Sequence, residues 1–268
     1  MRELTARLLR QRGLLATLVA RELKARYRGS VLGYFWSLAN PLLLLAVYSF
    51  VFGVVFQPER AGETHPYALF LITGLFPWIW VSTSLLEGTV SLSTNSGLIR
   101  KAVFPVEVLP LVTVVASLVH FLLALPILGA ALIAGRALGY DVGGASALLF
   151  PLVILLQLPL VGGLTLGLAA LNVHFKDVRD LLGNLLTLLF FMTPILYPLS
   201  FVTWPPLHAA IRWANPFTYH TLAYQDLLFH GRLPAPELWL GMAVIGIVAW
   251  IAGASLFARL YDSLVEAV

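Results

Sequence analysis

Groups able to do acid–base, nucleophilic or metal chemistry are few in this chain and poorly spaced for it. The histidines, at 65, 120, 174, 208, 220 and 230, nowhere recur at metal-ligand spacing, and no HExxH occurs. No GxxxxGK[ST] loop offers backbone amides to nucleotide phosphates, and no GxSxG or kinase-type constellation sets a nucleophile beside a base. Asp177 and Asp180 are the carboxylate pair a membrane-embedded transferase would use, but they lie beside Lys176 and Arg179 in a charge run whose usual fate is a solvated turn. Glu87 and His120 stand out because apolar sequence surrounds them, and an ionisable residue inside a membrane is by default a functional hypothesis. For His120 the simpler role is a neutral imidazole making one interhelical hydrogen bond, worth about 0.6 kcal/mol. With no cysteine, neither a disulfide framework nor a thiolate metal site is available.

The elements that must hold these residues are set by six stretches free of Asp, Glu, Lys and Arg: 29–58, 64–86, 108–135, 142–175, 181–211 and 238–258. Each reaches the roughly 20 residues an α-helix needs to cross ~30 Å of hydrocarbon. The composition agrees, with 59% hydrophobic and 11% charged residues and a mean hydropathy of +0.88, against about 25% charged in soluble domains. Continuous Leu-rich runs argue against a β-barrel, whose strands alternate apolar and polar positions. The expected fold is an all-α integral membrane protein. It has six transmembrane helices, an N-terminal amphipathic interface helix, and short re-entrant outer-leaflet helices between spans five and six.

Basic residues orient it. Of the 17 Lys and Arg, only Arg60, Arg136, Arg212 and Arg232 fall on the side opposite the N-terminus, so the positive-inside rule places both termini in the cytoplasm. The net charge of +4 then reflects topology and anionic headgroups, with no nucleic acid as partner. Residues 1–28 lack the apolar core of a cleavable leader. Leu4, Leu8, Leu15, Leu18 and Val19 recur at helical spacing there, as in a helix lying in the membrane interface.

Two domains are expected: the cytoplasmic interface helix at 1–29 and a transmembrane domain at 30–268, with spans at about 30–56, 67–93, 108–135, 147–173, 181–197 and 237–258. Between the second and third spans, Ser93 to Pro105 reads as a short surface helix that Asn95 or Ser96 caps and Pro105 follows. In the fourth, Gly162, Gly163 and Gly167 invite close helix packing. The 199–235 segment is too apolar for a free loop and too rich in proline for a full crossing.

The run from Arg21 to Pro41, RELKARYRGSVLGYFWSLANP, resembles the entry to the first span of ABC-transporter permeases that export polysaccharides: O-antigen, capsule and teichoic acid. The segments Asn95 to Pro110, Asn172 to Asp180, and Thr193 to Ser200 with Asn215-Pro216 are similar to the same family in the same order. The resemblance implies a homodimer in the bacterial inner membrane, paired with two copies of an ABC ATPase, extruding a lipid-linked polysaccharide. This chain then holds no cofactor and is no enzyme, because ATP and Mg belong to the partner.

By position, the resemblance assigns the coupling helix that seats in the ATPase to Ser96, Gly97, Leu98, Ile99, Arg100 and Lys101. It sets the N-terminal helix at a lateral gate, where Arg26 and Arg28 are placed to meet a lipid pyrophosphate, their planar guanidinium donors matching phosphate oxygens. Anchoring to anionic headgroups is the competing use of both. A glycan channel favours aromatic walls, and Tyr34, Trp36, Tyr48, Phe52, Trp78, Trp80 and Tyr197 are its candidates. The alternatives are an ABC exporter of a small molecule, drug or lipid, and the membrane-embedded transferase.

Overall fold

The computed structural model describes residues 12–26, 33–55, 64–101 and 105–267, and every regular element among them is helical. Helix α1 (Arg12–Arg26) comes first; a 3-10 turn at Gly33–Phe35 then leads into α2 (Trp36–Phe50), which loosens into a π-helical turn at Val51–Val55. Next come α3 (Tyr67–Thr94), the short α4 (Ser96–Lys101) and α5 (Val108–Ala137). A 3-10 turn at Ala145–Leu149 opens α6 (Phe150–His174), and α7 (Val178–Met192) follows. The chain then breaks into α8 (Pro205–Ala209), a π turn at Ala210–Ala214 and α9 (Thr218–Leu228), and ends in α10 (Pro236–Ala267).

Four helical stretches among the described residues are long and apolar enough to cross a membrane: Tyr67–Thr94, Val108–Ala137, Ala145–His174 and Pro236–Tyr261. The other two expected spans look different. In 30–56 the described part is helical from Gly33 to Val55 but changes helix type twice. In 181–197 helix α7 starts earlier, at Val178, and stops after 15 residues, a rise of about 22 Å that falls short of the ~30 Å apolar layer. It stops because Thr193 precedes a proline and adopts an extended ψ of 137°, the conformation a residue before proline is driven to. At the other end, α10 runs on past the expected span end at about 258 to Ala267, since residues 254–267 contain no glycine or proline to end it.

Glycine sets the closest packing. Helices α6 and α10 form the most extensive pair, and a Cβ placed on Gly163 would strike the α10 backbone at Ala249 and Trp250, while one on Gly253 would strike the backbone of Gly163. Gly167 also faces the Cα of Gly253. Small residues allow such an approach, and dispersion between the close backbones replaces the hydrophobic drive that lipid removes.

Helix α3 is the most enclosed of the four long helices. It is packed by α2, α5, α6, α7 and α9. Helix α9 is buried along nearly its whole length, against α3, α6 and α10. The irregular chain around it is held by side chains, as backbone away from water requires. Asn215 donates from Nδ2 to Thr193 Oγ1 at 2.9 Å and accepts from the Phe217 amide at 3.0 Å. Gln225 donates to the Pro194 carbonyl at 2.7 Å, and Tyr67 to that of Leu196 at 2.9 Å.

Helix α1 turns its apolar side to protein. Leu18 and Val19 are buried against Val108, Val112 and Ala116 at the start of α5, with Leu14, Leu15 and Leu23 around them.

Candidate functional site

Two features gather at the end of the bundle that carries α1 and α4, and a third lies further along α3, away from that end. The first is α4 itself. Asn95 separates it from α3, and the Leu98 and Ile99 amides bond the Asn95 carbonyl at 2.9 and 3.2 Å. The Asn95 side chain turns the other way, donating to the Ser91 carbonyl at 2.9 Å and accepting from Arg21 Nη2 at 3.1 Å. It therefore closes α3 and ties it to α1, where the sequence suggested a cap for α4. Leu98 and Ile99 are half-buried against the chain's own core, beside Leu15. Gly97 is exposed, with open space where a Cβ would sit. Arg100 and Lys101 complete the helix, described in their backbone only.

The second feature is a cavity of about 440 Å³ between α1, the end of α3 and the start of α5. Its charged lining is Arg21, Glu22, Arg26 and Glu87, and Ser91, Thr94, Asn95 and Thr113 add polar groups. Arg26 makes an ion pair with Glu87, and its other terminal nitrogen lies 3.5 Å from His120 Nδ1. A guanidinium carries only donors, so Nδ1 is the acceptor there. One arginine at the end of α1 thus meets the two ionisable residues of spans two and three, and His120 makes the interhelical contact expected of it. The sequence displayed both Glu87 and Arg26 but not their pairing. Arg28 lies outside the described residues.

The third feature is aromatic. Tyr48, Phe52, Trp78 and Tyr197 fall in one cluster with Phe190 and Phe217. Trp78 lies 5.5 Å from Phe217, edge to face, and 5.9 Å from Phe190, while Tyr48 is 5.5 Å from Phe190. Trp80 points elsewhere, stacked on Phe121 at 5.5 Å and fully buried. Trp36 is 49% exposed, and Tyr34 lies in the 3-10 turn before α2, where only the backbone is described. Phe190 and Phe217 were missed by sequence reasoning; the position of Phe190 within a charge-free run was the available signal.

At the opposite end a second cavity, of about 710 Å³, includes Asp141, Asp226, Arg212 and Arg232 in its lining. Arg232 pairs with Asp226 at 2.7 Å and Arg212 with Glu237 at 3.1 Å. Asp177 and Asp180 are exposed at the first turn of α7, where carboxylates are favoured by the helix dipole.

Apolar crossing helices, a short helix packed against the core after the second span, and a charged cavity beside it are thus on one chain. The profile of the ABC-2 type transporter family matches residues 13–229. This chain belongs to that family. Among relatives of this ABC-2 type chain, the O-antigen export system permease protein RfbA of Myxococcus xanthus is 39% identical over 99% of both chains. A protein of the same name from Klebsiella pneumoniae is 32% identical over 92% of both. The polysialic acid transport protein KpsM of Escherichia coli is 23% identical over 71% of this chain and 75% of its own. As an ABC-2 type transporter with several apolar crossing helices, it is a multi-pass membrane protein and a transport subunit.

Proposed function

We propose that this chain is the permease subunit of an ATP-driven exporter that carries a lipid-linked polysaccharide, O-antigen above other glycans, across the bacterial inner membrane. The observation that carries the reading is the full-length similarity to an O-antigen export permease. Two permeases form the path and two separate ATPases drive it. Both termini face the cytoplasm; α2, and α7 with the chain that follows it to Tyr197, complete a set of six spans; and α8 and α9 are re-entrant from the outer side.

Each part of the chain has a role in this reading. Ser96 to Lys101 seat in the ATPase, with Leu98 and Ile99 holding α4 to its own permease and the Gly97 side meeting the partner. Arg26, with Arg28 beside it in sequence, receives the lipid's diphosphate through fork-shaped donors. Tyr48, Phe52, Trp78 and Tyr197, backed by Phe190 and Phe217, form the wall along which sugar C–H faces slide, with Tyr34 and Trp36 at its entrance and Trp80 as packing behind it. ATP binding draws the ATPases together, α4 moves with them and the path opens; hydrolysis resets the pair. The cycle repeats because the polymer is much longer than the membrane is thick.

Co-purification in detergent with a candidate ABC ATPase from the same locus tests the coupling. A two-plus-two complex is expected from the native chain and its loss from Gly97→Trp, which adds bulk at an exposed position where a Cβ meets nothing within 4 Å. A native permease that stays alone, under conditions where a known exporter pair survives, overturns the coupling assignment. Deletion of the gene is expected to remove O-antigen from the cell surface; surface glycan that persists points to a small-molecule cargo instead.

A further inference from the structure

We propose that Glu87 is a built-in competitor for the anion received by the cavity at α1, so that a diphosphate must take Arg26 from this carboxylate in order to bind. The inference rests on the diphosphate role proposed above for Arg26. Arg26 and Glu87 are paired across α1 and α3. Among the described residues, the cavity they line holds two cations, Arg21 and Arg26, against two carboxylates, Glu22 and Glu87. These four charges cancel, and each carboxylate among them weakens the pull on a multiply charged anion unless it withdraws.

Glu87 is the carboxylate placed to do so. Its side chain is 42% exposed, against 25% for Arg26, so it has room to turn while the guanidinium remains between α1 and α3. Diphosphate oxygens then replace the carboxylate on the same planar donors, exchanging one charge-assisted contact for another. An anion able to make only one such contact recovers no more than the exchange loses. A diphosphate can also reach Arg21, which lines the same cavity. The pair therefore favours a diphosphate-bearing lipid over singly charged phospholipid headgroups, which are far more abundant in a membrane.

The test is binding of farnesyl diphosphate, a short polyprenyl diphosphate probe, to the full-length permease in phosphatidylcholine nanodiscs. Glu87→Gln keeps the side-chain shape and removes its charge, and is expected to tighten binding roughly tenfold, the worth of one charge-assisted hydrogen bond. Arg26→Gln is expected to weaken binding by a similar factor or more. If Arg26→Gln weakens binding but Glu87→Gln leaves it unchanged or weaker, the diphosphate site stands and the competition is overturned. A purely structural tie would give that second pattern, because losing either partner would loosen α1. If Arg26→Gln binds like the native chain, the diphosphate reading itself falls. If phosphatidylglycerol in the discs abolishes the gain from Glu87→Gln, the cavity takes a phospholipid headgroup and the proposal is overturned. Glu87→Asp draws the carboxylate back from the guanidinium and serves if Glu87→Gln fails to fold; it too must tighten binding, and an unchanged affinity overturns the proposal.

Discussion

At the scale of the residue, packing partners and exposure separate side chains of one type into different roles. Trp80 and Trp78 are two positions apart on α3, yet Trp80 stacks on Phe121 within the helix packing while Trp78 joins the cluster of Tyr48, Phe190 and Phe217. Trp36 on α2 is half open to its surroundings. Trp80→Ala should therefore destabilise the fold by about 3–5 kcal/mol, the usual cost of deleting a large buried aromatic, seen as a fall in melting temperature in detergent. Trp36→Ala should leave that temperature unchanged and reduce export alone. Equal melting shifts would remove the distinction. From the sequence all seven aromatics looked alike, because which face of a helix meets protein depends on neighbours supplied by distant segments.

At the scale of the element, two devices decide how helices meet. The contact of α6 with α10 depends on Gly163 and Gly253, where any Cβ meets backbone that has nowhere to go. Gly163→Leu should lower the melting temperature sharply and cut the yield of folded protein. Gly129→Ala on α5, where the added methyl meets nothing within 4 Å, should be neutral or stabilise by up to about 1 kcal/mol through helix propensity. A Gly163→Leu chain as stable as the native one would show that the two backbones stand further apart than described. The glycines of α6 were legible as packing residues in the sequence, but their partner Gly253 was not, since a contact between fourth and last spans has no local signature. The second device is proline placement: Pro194 ends α7 early, and Asn215, Thr193 and Gln225 then bond the broken chain in place of a helix.

At the scale of the molecule, the proposed topology makes a prediction about which way the bundle faces. The native chain has no cysteine, so a single introduced thiol reports its own side without a background. Gly97 and Thr203 are both exposed and lie at opposite ends of the bundle in the proposed topology. In intact spheroplasts an impermeant maleimide should label Thr203→Cys, while Gly97→Cys should react only after the membrane is opened. Labelling in the reverse order would invert the topology and remove the coupling role of α4.

The sequence by itself determined the class of molecule and the order of its parts. Charge-free runs need a solvent of hydrocarbon, so the helices, the membrane and the basic end were legible from composition and spacing, and so was a short helix within Ser93 to Pro105, which the structure places at Ser96–Lys101. Only the tertiary structure decided what those parts touch: that α1 lays Leu18 and Val19 on α5, that Arg26 reaches Glu87 and His120, and that Leu98 and Ile99 belong to the chain's own core. It also decided that the run at 181–211 is a short helix, a side-chain-bonded turn and further short helical pieces. Hydropathy is a property of each segment alone, whereas an ion pair or a glycine contact belongs to two segments far apart in the chain, and it exists only once packing has chosen their faces.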